Sequence, residues 1–178
     1  DAELKSNKDF MKKAFIQNVS TLQYADNSLL SNYDFMLDLV KINVEAMDYV
    51  SNILKGNADF IQEAIAFDYN VLDLASDSIK NEYYIVFNAI AINANAIKYA
   101  SESLKNNVEL VLTAVKKDGM VLQYINESLR DNDEIVKAAV QNNGQSIAFA
   151  SERLQQNSNV VMDSVKKDGL MLRILSNA

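Results

Sequence analysis

Apolar residues recur along this chain at intervals of 25 positions, from Leu4 to Ala178, without an insertion or a deletion. One apolar column holds Leu22, Met47, Leu72, Ile97, Leu122, Ile147 and Leu172, and another holds Leu4, Leu29, Leu54, Ile79, Leu104, Leu129 and Leu154. A fixed period of this length is typical of proteins whose repeats cannot bury an apolar face alone and must stack on their neighbours. The pattern predicts an all-α solenoid, an α-α superhelix of seven short helix pairs starting at residues 4, 29, 54, 79, 104, 129 and 154. Its handedness is left open.

Each repeat begins with a predicted helix of about ten residues. In the fifth repeat, Leu110 and Val111 share a helical face with the residues four positions later, and Asn107 precedes them where its side chain can cap the first turn. Asparagine recurs in this column as Asn7, Asn32, Asn57, Asn132 and Asn157. Gly119 follows the helix, and we expect it to supply a left-handed residue beyond the helix end.

The second half of each repeat is compatible with two structures. It forms either one continuous short helix or a brief helix followed by a tight helical turn at the Ser-Glu-Ser-Leu type of segment. Serine side chains prefer helix caps to helix interiors. Ser101 and Ser151 lie in this segment, so the second structure is favoured.

Composition excludes several classes of chemistry. Hydrophobic residues make up 49% of the 178 residues, as in ordinary packed proteins. The chain has no cysteine and no histidine, which excludes a disulfide framework, a thiol nucleophile, a Cys/His zinc site and a histidine base. No apolar run approaches the roughly 20 residues that span a bilayer. We therefore expect no cofactor, no metal site and no membrane insertion.

The two ends of the chain continue the repeat pattern. Residues 1–3 match the end of a repeat, and residues 170–175 are strongly apolar. A terminal repeat would need a polar outer face. We expect residues 1–178 to form a single helical-repeat domain and to be a piece of a longer protein.

The repeat resembles a known family. Residues 107–119 read NVELVLTAVKKDG, residues 122–129 read LQYINESL, and residues 133–144 read DEIVKAAVQNNG. This pattern is similar to the tandem repeat catalogued as "domain of unknown function 4116". The match is tight over repeats five to seven and looser over repeats one to four. The resemblance implies tandem arrays, often in proteins of intracellular bacterial pathogens and protists, and it transfers no catalytic residue.

Candidate binding residues are those that depart from the repeat. Phe67 occupies a column that holds Gln17, Lys117, Asn142 and Lys167 in other repeats, and Ile42 and Ile92 share that column. The other aromatic departures are Tyr69, Tyr83, Tyr84 and Phe87. Exposed aromatic side chains are common anchors at protein interfaces. These residues therefore mark a contact surface for a protein partner, unless they pack against a neighbouring domain or absorb irregularity in the repeat.

Acidic residues are concentrated in repeats two and three, which together carry a net charge of −7. Asp48 and Asp73 lie one period apart, as do Asp38 and Glu63. Such rows favour a partner with a basic surface, whose association they would accelerate, or they form a solvated face that keeps the protein soluble. An acid/base pair of carboxylates and a nucleic-acid site are both disfavoured, the latter because the chain has a net charge of −7.

These observations favour a non-catalytic protein-protein interaction scaffold. The alternative is a substrate-recruiting or regulatory arm of an enzyme whose catalytic domain lies outside these residues. The resemblance implies a soluble effector that a bacterium secretes into a host cell, and a cytoplasmic protein is the alternative location.

Overall fold

The computed structural model describes residues 2–169, and every regular element in this range is a helix. The α-helices are α1 (Ala2–Ser6), α2 (Lys8–Gln17), α3 (Asn27–Leu30), α4 (Tyr33–Ile42), α5 (Asn52–Lys55), α6 (Ala58–Ile65), α7 (Val71–Leu74), α8 (Asp77–Lys80), α9 (Tyr83–Ile92), α10 (Glu102–Lys105), α11 (Val108–Lys117), α12 (Glu127–Arg130), α13 (Asp133–Asn142), α14 (Glu152–Gln155) and α15 (Ser158–Lys167). The 3₁₀ helices are Val19–Tyr24, Val44–Asp48, Ala94–Tyr99, Gly119–Tyr124 and Gly144–Phe149. The all-α prediction is confirmed.

Each complete repeat contains a long α-helix, a short second helix and one further turn of α-helix. The long helix has ten residues in most repeats, the second helix is usually 3₁₀, and the last α-helix has four residues. The second of the two structures considered for this half of the repeat is therefore confirmed. The third repeat differs, because α6 is shorter and the four-residue α-helix α7 replaces the 3₁₀ helix.

Asparagine side chains cap the long helices as predicted. The Oδ1 atom of Asn57 accepts the backbone N–H of Phe60 at 2.8 Å. The same type of bond is made by Asn7, Asn32, Asn107, Asn132 and Asn157. Serine side chains cap the short helices α5, α8, α10 and α14 in the same way. A side-chain acceptor at this place satisfies a backbone donor that has no partner inside the helix.

The chain divides into two compact units, residues 1–85 and 86–178. Inside the first unit, backbone bonds between residues 21 positions apart join successive repeats: Asp26 N–H donates to Lys5 O, Ser51 N–H to Leu30 O, and Ser76 N–H to Lys55 O, at 2.9, 3.0 and 2.9 Å. Inside the second unit, the Ser151 N–H donates to Arg130 O at 2.9 Å. The repeat period is therefore also a period of tertiary contacts within each unit.

The core of each unit consists of the apolar columns of the sequence. In the first unit, Met36, Met47, Phe60, Ile61 and Leu72 are fully buried. In the second unit, Leu110, Val111, Leu122, Ile135 and Val140 are fully buried. Burial of each such side chain contributes roughly 1.5–3 kcal/mol to folding.

Gly119 does not have the predicted role. No glycine among the described residues has a positive φ, so the prediction of a left-handed residue there is wrong. An added Cβ at Gly119 would overlap the backbone oxygen of Ala139, and one at Gly144 would lie 2.5 Å from the backbone oxygen of Ser164. Glycine is needed at these two places because the long helix of the following repeat approaches the backbone too closely for a side chain.

Ser146 is a buried polar residue whose replacement by alanine is expected to stabilise the protein. Its Oγ atom is buried without a hydrogen-bond partner among the described residues. The same column holds Ala46, Val71, Ala96 and Val121 in other repeats. Removing an unpaired buried hydroxyl recovers part of its desolvation cost, so we expect Ser146→Ala to raise the free energy of unfolding by about 1 kcal/mol. Denaturant-induced unfolding measures this change.

Ser164→Ala is the matched control. Ser164 is also fully buried, but its Oγ donates a hydrogen bond of 2.9 Å to the backbone oxygen of Gly144. Its removal leaves that oxygen with one bond fewer, so the control variant is expected to be less stable than the parent protein. Equal destabilisation by both substitutions would contradict the expectation for Ser146.

Candidate interaction surface

The aromatic residues singled out in the sequence have different environments in the structure. Phe67 and Tyr84 are exposed, at 58% and 77% of the residue surface, whereas Tyr69 and Tyr83 are half-buried. The rings of Tyr83 and Tyr84 make an edge-to-face contact with centroids 5.5 Å apart. Phe87 is half-buried and belongs to the second compact unit, whereas the other four belong to the first. The binding role of these five residues stays a prediction.

The predicted acidic residues are at the surface of the first unit. Asp48 and Asp73 are both exposed. The Nζ atom of Lys55 donates to the backbone oxygen of Asp48 at 3.5 Å, so a cation lies beside that residue but does not pair with its carboxylate. The role of these two carboxylates in partner binding also stays a prediction.

Two exposed apolar side chains lie in one column of the first unit. Ile42 is 50% exposed and Phe67 is 58% exposed. The ammonium of Lys41 lies 5.0 Å from the centre of the Phe67 ring, in a cation–π contact. The contact places the C-terminal end of α4 next to Phe67, which follows α6 after one further residue. Ile42 directly follows Lys41 in α4, so both exposed apolar residues belong to the region around this contact.

The exposed faces of α4 and α6 carry four carboxylates, those of Asp34, Asp38, Asp59 and Glu63. Tyr33 connects the two helices, because its hydroxyl donates a hydrogen bond of 2.9 Å to Glu63 Oε1. Partial burial, the bond to Glu63 and the charges of Glu63, Asp59 and Asp34 raise the pKa of Tyr33 to about 12. Phenol ionisation is disfavoured here because it would add a negative charge to an already acidic surface.

Two acidic residues of the second unit, Asp131 and Asp133, share one cation. The guanidinium of Arg153 lies 2.9 Å from a carboxylate oxygen of Asp131 and 2.9 Å from one of Asp133. Hydrogen bonds from Ser151 and Arg153 lower the pKa of Asp131, and the bond from Arg153 lowers that of Asp133. In the first unit the described ion pairs include only Asp38 of the four carboxylates on α4 and α6, paired with Lys12 at 3.0 Å.

A second apolar surface lies at the first repeat. A groove of about 290 Å³ is lined there by Leu4, Phe10, Met11 and Tyr24, among others. The corresponding residues of the next repeats, such as Phe35 and Phe60, are buried. The groove is therefore the face that repeats use for stacking, and its lining is mostly apolar, with Lys5 and Thr21 among the lining residues.

Within residues 2–169, no group of three or more acidic side chains is placed to hold a metal ion. None of the helices in the same range has the length and apolar character needed to cross a membrane. These two findings concern the described part of the chain.

In the sequence, Phe67 and Ile42 stand out as departures from the repeat, and Asp38 and Glu63 as acids one period apart. No role in binding was predicted for Asp34, Asp59 or Tyr33. A usable signal was present in the spacing. Asp34, Asp38 and Ile42 are four residues apart and share a face of α4, and Asp59, Glu63 and Phe67 have the same spacing, with Phe67 just beyond the end of α6.

Comparison with known proteins gives one match. A family model with the description "Domain of unknown function (DUF4116)" matches residues 32–80, 57–105, 82–130, 107–155 and 132–178. Successive matches begin 25 residues apart, which reproduces the period found in the sequence. No curated protein and no solved structure matches the chain.

Proposed function

Because the chain belongs to the family described as "Domain of unknown function (DUF4116)", a description that assigns no activity, we propose its function from its surface: a non-catalytic scaffold that binds another protein. The observation that carries the proposal is the exposure of Ile42 and Phe67 in a column that is polar in repeats one, five, six and seven. Exposed apolar side chains that lie together on a folded surface often mark a protein-binding site.

The surroundings of Ile42 and Phe67 support a protein partner over a small molecule. Both residues lie on an open surface beside Lys41 and the carboxylates of α4 and α6. Protein interfaces commonly combine an apolar centre with a polar and charged rim. Tyr84, Asp48 and Asp73 are exposed in the same compact unit and belong to the proposed contact surface.

A solenoid of seven repeats is also part of this proposal. The backbone bonds at 21-residue spacing inside each compact unit and the family matches at 25-residue spacing support it. Stacked repeats give a scaffold whose surface columns present side chains at regular intervals, which suits an extended contact with a protein.

The double variant Ile42→Ser/Phe67→Ser tests the binding role. We expect it to keep the melting temperature of the parent protein within a few degrees, since both side chains are exposed, and to lose the proteins that the parent captures from a cell lysate. Quantitative mass spectrometry of the captured proteins measures the loss.

The matched control is Gln17→Ser/Lys167→Ser, which changes two exposed residues of the same column. It should capture the same proteins as the parent chain. If the Ile42/Phe67 variant folds and retains every captured protein, the proposed surface is not the binding site. If both double variants lose the same proteins, the contact is unspecific and the proposal fails.

A further inference from the structure

Two neighbouring helices of the first unit carry the same exposed sequence of side chains. On α4 these are Asp34, Asp38 and Ile42, and in the third repeat they are Asp59, Glu63 and Phe67. Each row reads acid, acid, apolar at intervals of four residues. On α4 the three residues lie along one helix face over about 12 Å, whereas in the second row Phe67 lies two residues beyond the end of α6. We call these six residues the acidic–apolar patch.

Contacts at both ends show that the two rows lie side by side. Near the acidic end, the Tyr33 hydroxyl of α4 bonds to Glu63 of α6 at 2.9 Å. At the apolar end, Lys41 of α4 contacts the ring of Phe67 at 5.0 Å. The two rows are therefore neighbours in the same compact unit, with the start of α4 beside Glu63 and the end of α4 beside Phe67.

The combination is confined to repeats two and three. The same three columns hold Glu109, Thr113 and Lys117 in repeat five, Glu134, Ala138 and Asn142 in repeat six, and Asn159, Asp163 and Lys167 in repeat seven. In repeat one they hold Asp9, Lys13 and Gln17. The helix dipole explains an acid in the first turn. Neither the dipole nor the stacking of repeats explains the second acid and the exposed apolar residue.

The electrostatic state of the patch favours a cationic ligand. The ammonium groups near the four carboxylates include those of Lys12, which pairs with Asp38, Lys41, which covers the Phe67 ring, and Lys8, which bonds to Asn32 at the start of α4. Burial, followed by the hydrogen bond to Glu63 and the nearby carboxylates, raises the pKa of Tyr33 to about 12. The cation–π contact of Lys41 also shows that the Phe67 ring accepts an ammonium group.

We propose that the acidic–apolar patch binds a short amphipathic basic helix of a partner protein, with Lys or Arg at positions i and i+4 and an aliphatic residue at i+8. A helix with this spacing has the same rise per residue as α4 and α6, so its two charges match the spacing of the acids on each helix, and its aliphatic residue lies at the apolar end of the row on α4. The assignment rests on the proposed interaction function and adds the chemistry of the partner.

Synthetic peptides test the assignment directly on the whole chain. The probe is an alanine-rich helical peptide with a fluorophore, Lys at i and i+4 and Leu at i+8, made in both sequence orders so that either direction of binding is covered. We expect one of the two to bind at low ionic strength and to bind about tenfold more weakly at high salt, because the charges are exposed and screened. A peptide with Glu in place of Lys should not bind. Fluorescence anisotropy measures the affinities.

The variant Asp34→Asn/Asp59→Asn removes one acid from each row. We expect it to weaken peptide binding about tenfold, as expected for two exposed ion pairs acting together. The control Glu109→Gln/Glu134→Gln removes the first-turn acids of repeats five and six, with the same cost to the helix dipole, and should bind within about twofold of the parent. Thermal melting of both variants verifies that they are folded.

Three outcomes overturn the assignment: neither Lys peptide binds at low salt, the Glu peptide binds equally well, or Asp34→Asn/Asp59→Asn binds like the parent. The proposed function is tested separately. It fails if Ile42→Ser/Phe67→Ser folds and still retains every captured protein. A natural partner that is lost from Ile42→Ser/Phe67→Ser but kept by Asp34→Asn/Asp59→Asn would preserve the interaction function and refute a basic helix as its ligand.

Discussion

Replacing Gly119 with alanine is expected to lower the free energy of unfolding by about 3 kcal/mol, the upper end of the usual cost of overpacking. The new Cβ would overlap the backbone oxygen of Ala139, which is inside α13 and accepts the N–H of Asn143 at 2.8 Å. A backbone atom in a hydrogen-bonded helix cannot rotate away as a side chain can. The whole helix must shift, and the buried Leu122 and Val140 of the same unit would lose packing.

Gly169→Ala is the control for this expectation, because an added Cβ there meets no atom within 4 Å. Urea-induced unfolding of both variants measures the difference. Gly144→Ala should resemble Gly119→Ala, since its Cβ would lie 2.5 Å from the backbone oxygen of Ser164. If Gly119→Ala is as stable as Gly169→Ala, close approach of the following repeat is not the reason for glycine at this place.

Phe60→Ala is expected to cost about 4 kcal/mol of stability, the usual range for removing a buried aromatic side chain. Phe60 is fully buried at the start of α6, and its ring makes an edge-to-face contact with Tyr33 at a centroid distance of 5.4 Å. The substitution leaves a cavity between repeats two and three and removes this contact. Thermal and denaturant unfolding should both show the loss.

Phe67→Ala is its matched control, since the same side chain is removed from the same repeat. Phe67 is 58% exposed, so its loss should change the free energy of unfolding by less than about 1 kcal/mol. Comparable destabilisation by the two substitutions would show that Phe67 is a core residue. In that case the surface proposed for partner binding would be wrong as well.

Local order in each repeat could be predicted from the sequence because it depends on residues close together in the chain. The asparagine caps and the length of the long helix follow from bonds that span three or four positions, as in the bond between Asn57 and Phe60. Ser101 as a cap of the last short helix was predicted on the same basis. The exception is repeat three, where α7 replaces the 3₁₀ helix. Tyr69 in place of glycine does not account for this, because repeats one, two and four also lack the glycine and keep a 3₁₀ helix.

The candidate surface could be predicted only in part. Exposure of Phe67 and Tyr84 was expected because they occupy columns that are polar in other repeats, and exposure is what the structure shows. The half-buried positions of Tyr69 and Tyr83 were not foreseen, since a departure from the repeat does not reveal the direction of a side chain. No role in binding was predicted for Asp34 and Asp59, since the helix dipole is sufficient to explain an acid in the first turn of a helix.

By itself, the sequence determined the period, the helices, their caps and the apolar columns that form the core. These features need only the spacing of residues along one helix and the requirement that apolar faces be buried. The tertiary structure decided why Gly119 is glycine and which surface residues form the acidic–apolar patch. Both depend on distances in space between residues that are 20 to 30 positions apart in the sequence, such as Gly119 and Ala139 or Tyr33 and Glu63. Those distances are set by how closely one repeat stacks on the next, which the order of residues does not specify.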